Sequence, residues 1–261
     1  MQIFETHAHY DDAAFDEDRQ EVLWNMKKSG IEYIVNIGCS MENSKEIVNF
    51  VKQFDFLYGT VGVHPESVGS LTENDMDVLR KLCHNEKILG IGEIGLDYYY
   101  DGYNKESQKK WFAAQLNVAR QEQLPVVIHS RDAAADTLDI MKAENAKNIG
   151  GVIHCFSYGK ELAKQYLDMG FFIGVGGVVT FKNGKKLKEV VAYTPLDRIV
   201  LETDAPYLAP TPFRGKRNCS AYLTYVAQEI ANIKGIDVDK VYEVTFANGK
   251  RLYRMQSESE N

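Results

Sequence analysis

Eight short β-rich runs alternate with helical stretches along the whole chain, and this alternation limits the possible folds more than any other feature. The runs are Ile3–Thr6, Tyr33–Ile37, Leu57–Val63, Ile88–Ile94, Val126–His129, Val152–Phe156, Phe171–Val175 and Arg198–Glu202. Most carry β-branched or aromatic residues without strict polar alternation, as strands buried on both faces do. The stretches between them have helical character. In Lys105–Glu122, for example, Phe112, Leu116 and Ala119 recur at spacings of four and three and share one face. Eight strands, each followed by a helix, match the parallel (β/α)8 TIM barrel in count and length. The expectation is a single α/β domain over residues 1–261, with one extra C-terminal helix at about Val238–Met255 and a frayed tail over 255–261. An open doubly wound sheet would need fewer strands and a reversal of strand order, which sequence alone leaves open.

Composition narrows the class further. With 44% hydrophobic and 26% charged residues the chain can bury a core, which excludes extensive disorder. Its longest apolar run, 171–179, is far short of the ~20 residues needed to span a bilayer, so no membrane association is expected. The start, MQIFETHAHYDD, lacks the basic and apolar regions of a signal peptide. The four cysteines, Cys39, Cys83, Cys155 and Cys219, form no CxxC pair and read as reduced thiols of a cytoplasmic protein. A net charge of −7 disfavours a broad basic face for nucleic acid.

The barrel reading makes a specific demand, because active-site groups in such folds lie at the C-terminal ends of strands. His7 and His9 follow the first strand, His64 ends the third, Glu93 the fourth and His129 the fifth. His154 lies late in the sixth, and Asp204 follows the eighth. Five of the six histidines thus fall on one rim, and His84 alone falls in a helical stretch. Each piece has an ordinary structural explanation: a core histidine bonded to a carbonyl, or an aspartate in a turn. Together, the imidazoles of His7, His9, His129 and His154 and the carboxylates of Glu93 and Asp204 point to a metal centre. Glu202, two residues before Asp204, is a further candidate, whereas Cys155 should face away from His154. Six nitrogen and oxygen ligands exceed what one tetrahedral zinc needs and suit two divalent ions, Mg, Mn or Zn, with Ni or Co also compatible.

Other patterns lead elsewhere and fail. Gly90, Gly92 and Gly95 match GxGxxG, but LDYYYDGYN is a poor helix start and Glu93 would repel a pyrophosphate, so no nucleotide cofactor is expected. There is no P-loop and no GxSxG nucleophile elbow.

The blocks THAHYDD, VGVHPE, GIGEIGLDYYY, LPVVIHSRDA, GVIHCFS and LETDAPYLAPTPFRGKRN, in this order over essentially the whole chain, resemble the TatD family of metal-dependent deoxyribonucleases. These belong to the amidohydrolase-like barrels, so the resemblance implies a metallo-dependent hydrolase domain. It implies that His7, His9, Glu93 and Asp204 hold one ion and that Glu93, His129 and His154 hold a second, with Glu93 bridging. It places His64 near the substrate phosphate. The chain departs from the family pattern at Glu66, in HPE, and at Cys219-Ser220 after GKRN. Both departures bear on substrate preference.

The expected chemistry is attack of an activated water on a DNA phosphodiester, from an end or on single strands. Asp204 would orient the water and take its proton, and Glu93 is the second catalytic carboxylate. His64 and Arg131 would hold phosphate, although Arg131 could instead pair with Asp132. The segment 206–217 has three of the six prolines (Pro206, Pro210, Pro212) and no acidic residue. It carries Arg214, Lys216 and Arg217, read either as a phosphate clamp or as a stiff solvated loop. Tyr98, Tyr99, Tyr100 and Tyr103 could stack on bases or pack the barrel top. The alternative function is hydrolysis of another ester or amide on the same centre, such as deacylation of aminoacyl-tRNA.

Overall fold

Strands buried on both faces are built mostly from apolar side chains, with any polar ones bonded or placed at a site, as the computed structural model, which describes residues 1–255, shows. Every residue of β1 (Ile3–Ala8), β6 (Gly151–Ile153), β7 (Phe172–Val175) and β8 (Ile199–Leu201) is buried. The eight strands stand in one sheet in chain order, each followed by a helix, with a ninth helix at the end. The fold is the (β/α)8 TIM barrel with an extra C-terminal helix. The tail expected to fray lies, from residue 256 on, outside the described residues. Among the described residues no helix is long and apolar enough to cross a membrane. None of the four cysteines is joined in a disulfide, and burial pushes the Cys83 thiol up to about 12.

The chain divides into two compact units. The first comprises Met1–Asn36, Cys155–Leu167 and the chain from Phe172 on. In it β1 pairs in parallel with β2 (Ile31–Asn36), and β7 with β8. β1 runs two residues further than the sequence suggests and takes in His7. Its last residue, Ala8, bridges Ala205, and Thr6 Oγ1 donates to the Leu201 carbonyl at 2.9 Å. The extra C-terminal helix, Val238–Leu252, is a packing element. Phe4 of β1 lies against Phe246 and stacks on Tyr253, and the Tyr253 hydroxyl donates to Thr6 O at 2.8 Å. Asn248 Nδ2 donates to the carbonyls of Leu196 and Ile199, fixing the start of β8.

The second unit, Ile37–His154 with Asp168–Phe171, carries β3 (Leu57–Val61), β4 (Ile88–Asp97), β5 (Val126–Arg131) and β6 in parallel pairs. The glycines of the GIGEIG run serve close packing here. A Cβ on Gly92 would come within 2.6 Å of Val127 Cβ. At Gly95, with φ +143, one would come within 1.9 Å of the His129 carbonyl oxygen. The register slips between Ile91 and Ile94, where Glu93 leaves the regular ladder. β4 pairs with β5 as far as Asp97, opposite Arg131, and α4 (Lys105–Glu122) also holds that end. Gln108 Oε1 accepts from Asp97 N and its Nε2 donates to Asp97 O, both at 2.9 Å. Gln115, one heptad later, does the same to Val63, at 2.8 and 3.1 Å. Trp111, Phe112, Leu116 and Ala119 bury the remainder of that helix face.

Candidate metal centre

In the first unit, the end of β1 and the segment after β8 are stitched together. The His7 carbonyl accepts from Asp204 N at 2.9 Å, and His9 N donates to the Ala205 carbonyl at 2.8 Å. Asp204 sits in the left-handed region at φ +60, which short polar side chains tolerate, and its carbonyl accepts from Tyr207 N. Beneath these residues lies Glu5, fully buried. Its Oε1 accepts from His7 N at 3.1 Å and from Thr203 N at 2.9 Å. Burial pushes the Glu5 carboxyl up to about 7 despite those bonds. Asn218 closes the turn from the other side, donating to the carbonyls of Thr203 and Tyr207.

This framework brings three sequence-predicted ligands together. His7 Nε2 and His9 Nε2 lie 3.2 Å apart, and Asp204 Oδ1 lies 3.6 Å from the first and 3.3 Å from the second. Donor atoms about 2.1 Å from a tetrahedral divalent ion stand roughly 3.4 Å from one another. The triangle therefore fits a cation in size and in donor type. Glu202 is buried nearby in the chain, with its Oε1 accepting from Cys155 N at 2.6 Å, and it is not part of the triangle.

The second unit assembles His64, Glu93, His129 and His154. His129 Nδ1 is 2.8 Å from Glu93 Oε1, and His154 Nε2 is 3.8 Å from that same oxygen. The His64 ring meets the His129 ring edge-on at 4.4 Å, and His64 caps the following turn, its Nδ1 accepting from Glu66 N at 3.3 Å. Asp97 has a role that the sequence pattern does not reveal. Buried at the end of β4, it places Oδ2 at 2.9 Å from His129 Nε2, while its Oδ1 accepts from Tyr99 N. A carboxylate behind a ligating imidazole fixes its orientation and tautomer. Burial opposes a charged His129, but its bonds to Asp97 and Glu93 outweigh that and lift it to about 9. Burial also works against the Asp97 carboxylate, yet the same histidine and the Tyr99 N–H hold it below the usual range. Burial, reinforced by the charge of Asp97, raises Glu66. The visible signals for Asp97 and Glu5 are an acidic residue closing a glycine-rich apolar strand and one inside an apolar strand, where a buried carboxylate requires a partner.

The remaining predicted residues separate. Arg131 stacks on Tyr99, with its guanidinium carbon 3.6 Å from the ring centroid, and no ion pair joins it to Asp132. Arg217 anchors its loop: it pairs with both oxygens of Asp18 at 2.8 and 2.6 Å and donates to the Ala14 carbonyl. Arg214 lies over Phe181 at 4.1 Å, and with Lys216 it lines an open depression alongside Pro206 and Tyr207. His84, expected to be ordinary, is exposed and bonds Glu122.

Known proteins are similar to this chain over nearly its entire length. The family model described as TatD related DNase matches residues 4–254. The uncharacterized metal-dependent hydrolase YabD of Bacillus subtilis (strain 168) is 41% identical over 97% of this chain and 99% of its own length. The 3'-5' ssDNA/RNA exonuclease TatD of Cronobacter sakazakii is 30% identical over 96% and 97%. Among solved structures, the TatD homologue YJJV of Escherichia coli K12 superposes with a TM-score of 0.91 at 26% identity, covering 97% of this chain and 98% of that one. The E. coli phosphotriesterase homology protein shares the fold, with a TM-score of 0.69 at 14% identity, covering 97% of this chain and 98% of that one. With its histidine and carboxylate clusters and these relatives, the chain belongs to the TatD family and is a metal-dependent hydrolase.

Proposed function

We propose that this hydrolase is a deoxyribonuclease that cleaves DNA phosphodiesters from an end or on single strands. We also read its whole length as a single hydrolase domain, and we place it in the cytoplasm on the strength of its free thiols. The observation that carries the reading is the ligand triangle of His7, His9 and Asp204, sized for a divalent cation. The exonuclease name of the Cronobacter relative supports the substrate. In this reading His7, His9 and Asp204 hold one ion, and Glu93, His129 and His154 hold a second. The nitrogen and oxygen donors admit Mg, Mn or Zn, and Ni or Co. Such ions, when bound, would supply a water acidic enough to ionise near neutral pH and would neutralise phosphate charge.

The chain's own groups do the rest. Asp204 Oδ2, outside the triangle, orients the attacking water and accepts its proton. Glu93 is the second catalytic carboxylate. His64, capping its turn through Nδ1, turns its other nitrogen to the phosphate, and the forked donors of Arg131 hold a phosphate oxygen. Arg217 orders the loop through Asp18, so that Arg214 and Lys216 meet the substrate backbone.

Metal-stripped protein, given single-stranded and duplex DNA with Mg²⁺, Mn²⁺ or Zn²⁺ in turn, tests this. Hydrolysis should require metal and should fall about 10²–10⁴-fold in Asp204→Ala. Full activity in that variant, or without metal, overturns the mechanism. Cleavage of carboxylic esters, amides or aminoacyl-tRNA, with phosphodiesters left intact, overturns the substrate.

A further inference from the structure

Four tyrosines follow Glu93, and the structure gives them different roles. Tyr98 is engaged: its hydroxyl donates to Asp136 at 2.7 Å and Lys105 Nζ covers its ring at 4.4 Å. Tyr99 and Tyr100 are 54% and 49% exposed, an unusual state for two adjacent large rings with this much apolar surface. They are nonetheless held. Their rings meet edge to face at 4.8 Å and 88°, and the Arg131 guanidinium lies over Tyr99 at 3.6 Å and within 5.4 Å of Tyr100. The Arg131 charge acts on the Asp97 and Glu66 carboxylates, while its planar guanidinium lies over the rings, an arrangement that leaves its edge available to a ligand.

The position of this shelf is set by the second ligand cluster. Asp97 takes His129 with one oxygen and the Tyr99 backbone N–H with the other. Tyr98 N donates to the Arg131 carbonyl, and Arg131 lies two residues after His129 on β5, so both side chains leave the same strand face. A rigid aromatic face backed by a cation is thereby tied to a histidine of the proposed metal centre.

We propose that Tyr99 and Tyr100, backed by Arg131, form a stacking platform for one unpaired nucleobase next to the phosphate being cleaved. This rests on the phosphodiesterase reading and narrows its substrate to single-stranded nucleic acid, bound without base preference. Every base offers a flat face to an aromatic ring, whereas a base inside a duplex is already stacked on its neighbours. The guanidinium favours an anionic, electron-rich ligand over a neutral apolar one.

Hydrolysis-resistant phosphorothioate oligonucleotides separate binding from turnover. Fluorescence anisotropy with Mg²⁺ present should show tighter binding of a single strand than of its duplex or of an abasic strand of equal length. Tyr99→Ala should weaken binding of the base-bearing strand about 5- to 100-fold and leave the abasic strand nearly unaffected, while Tyr99→Phe should bind as wild type. Equal affinity of wild type for base-bearing and abasic strands, or an unchanged Tyr99→Ala, overturns the platform. If Tyr99-dependent binding is present and no phosphodiester is hydrolysed, the functional reading fails and the platform stands. If single strands are cleaved and neither binding nor cleavage depends on Tyr99, the platform fails and the functional reading stands.

Discussion

The two candidate ligand clusters both combine histidine with a carboxylate and are built in opposite ways. The triangle of His7, His9 and Asp204 is positioned through backbone: strand-to-loop hydrogen bonds and the buried Glu5 place the ligands, and their donor atoms stand 3.2 to 3.6 Å apart. In the second cluster His129 is positioned through its side chain, clamped between Asp97 and Glu93 at 2.9 and 2.8 Å. The first arrangement is therefore sensitive to anything that moves the chain, and the second to anything that alters one carboxylate. The spaced triangle has the size of a cation site as it stands, while an ion held by His129 and Glu93 would have to displace the hydrogen bond between them.

That contrast can be broken by experiment. Glu5→Ala leaves two buried N–H groups, of His7 and Thr203, without their acceptor, and should cost about 2–4 kcal/mol of stability in denaturant unfolding. Glu5→Gln keeps an acceptor oxygen and should unfold close to wild type; an equal loss in both would mean that the charge, not the backbone bonds, matters. Asp97→Asn should leave the fold intact and weaken metal binding about 10–100-fold by calorimetry, with a second, unaffected binding step from the triangle. If both steps weakened together, the two clusters would not be independently built. The smallest effect is expected at Gln115→Met, which removes two bonds to the backbone of Val63, at about 1–2 kcal/mol of stability with the metal affinity of the triangle unchanged.

The candidate ligands stand out in the sequence because histidine is scarce in this chain and its placement at strand ends is chemically informative. The helix-by-strand order is legible for a similar reason, since uninterrupted β-branched runs have few other uses. What escapes are groups defined only by a partner far away in the chain. Asp97 acquires its meaning from His129, 32 residues on. Glu5 acts on Thr203 across 198 residues, and Gln115 on Val63 across 52. Arg217 looks like a third member of a basic clamp because nothing local shows that Asp18, 199 residues earlier, holds it. Strand ends escape for the same reason: the last residue of β4, Asp97, pairs opposite Arg131 of β5 and is also held by Gln108 of α4, neither of which is adjacent in the chain.

The two glutamines of α4 also set a ruler. Seven residues are nearly two turns, or about 10.5 Å of helix, and bring both side chains to one face. Each amide grips one backbone unit, Asp97 behind the clamped histidine and Val63 immediately before His64. Adding or deleting a single residue between positions 108 and 115 would rotate one glutamine by roughly 100° and release its strand end. Among all the connecting helices of the second unit, this interval should be the one whose length cannot drift, although none of its residues is a candidate metal ligand.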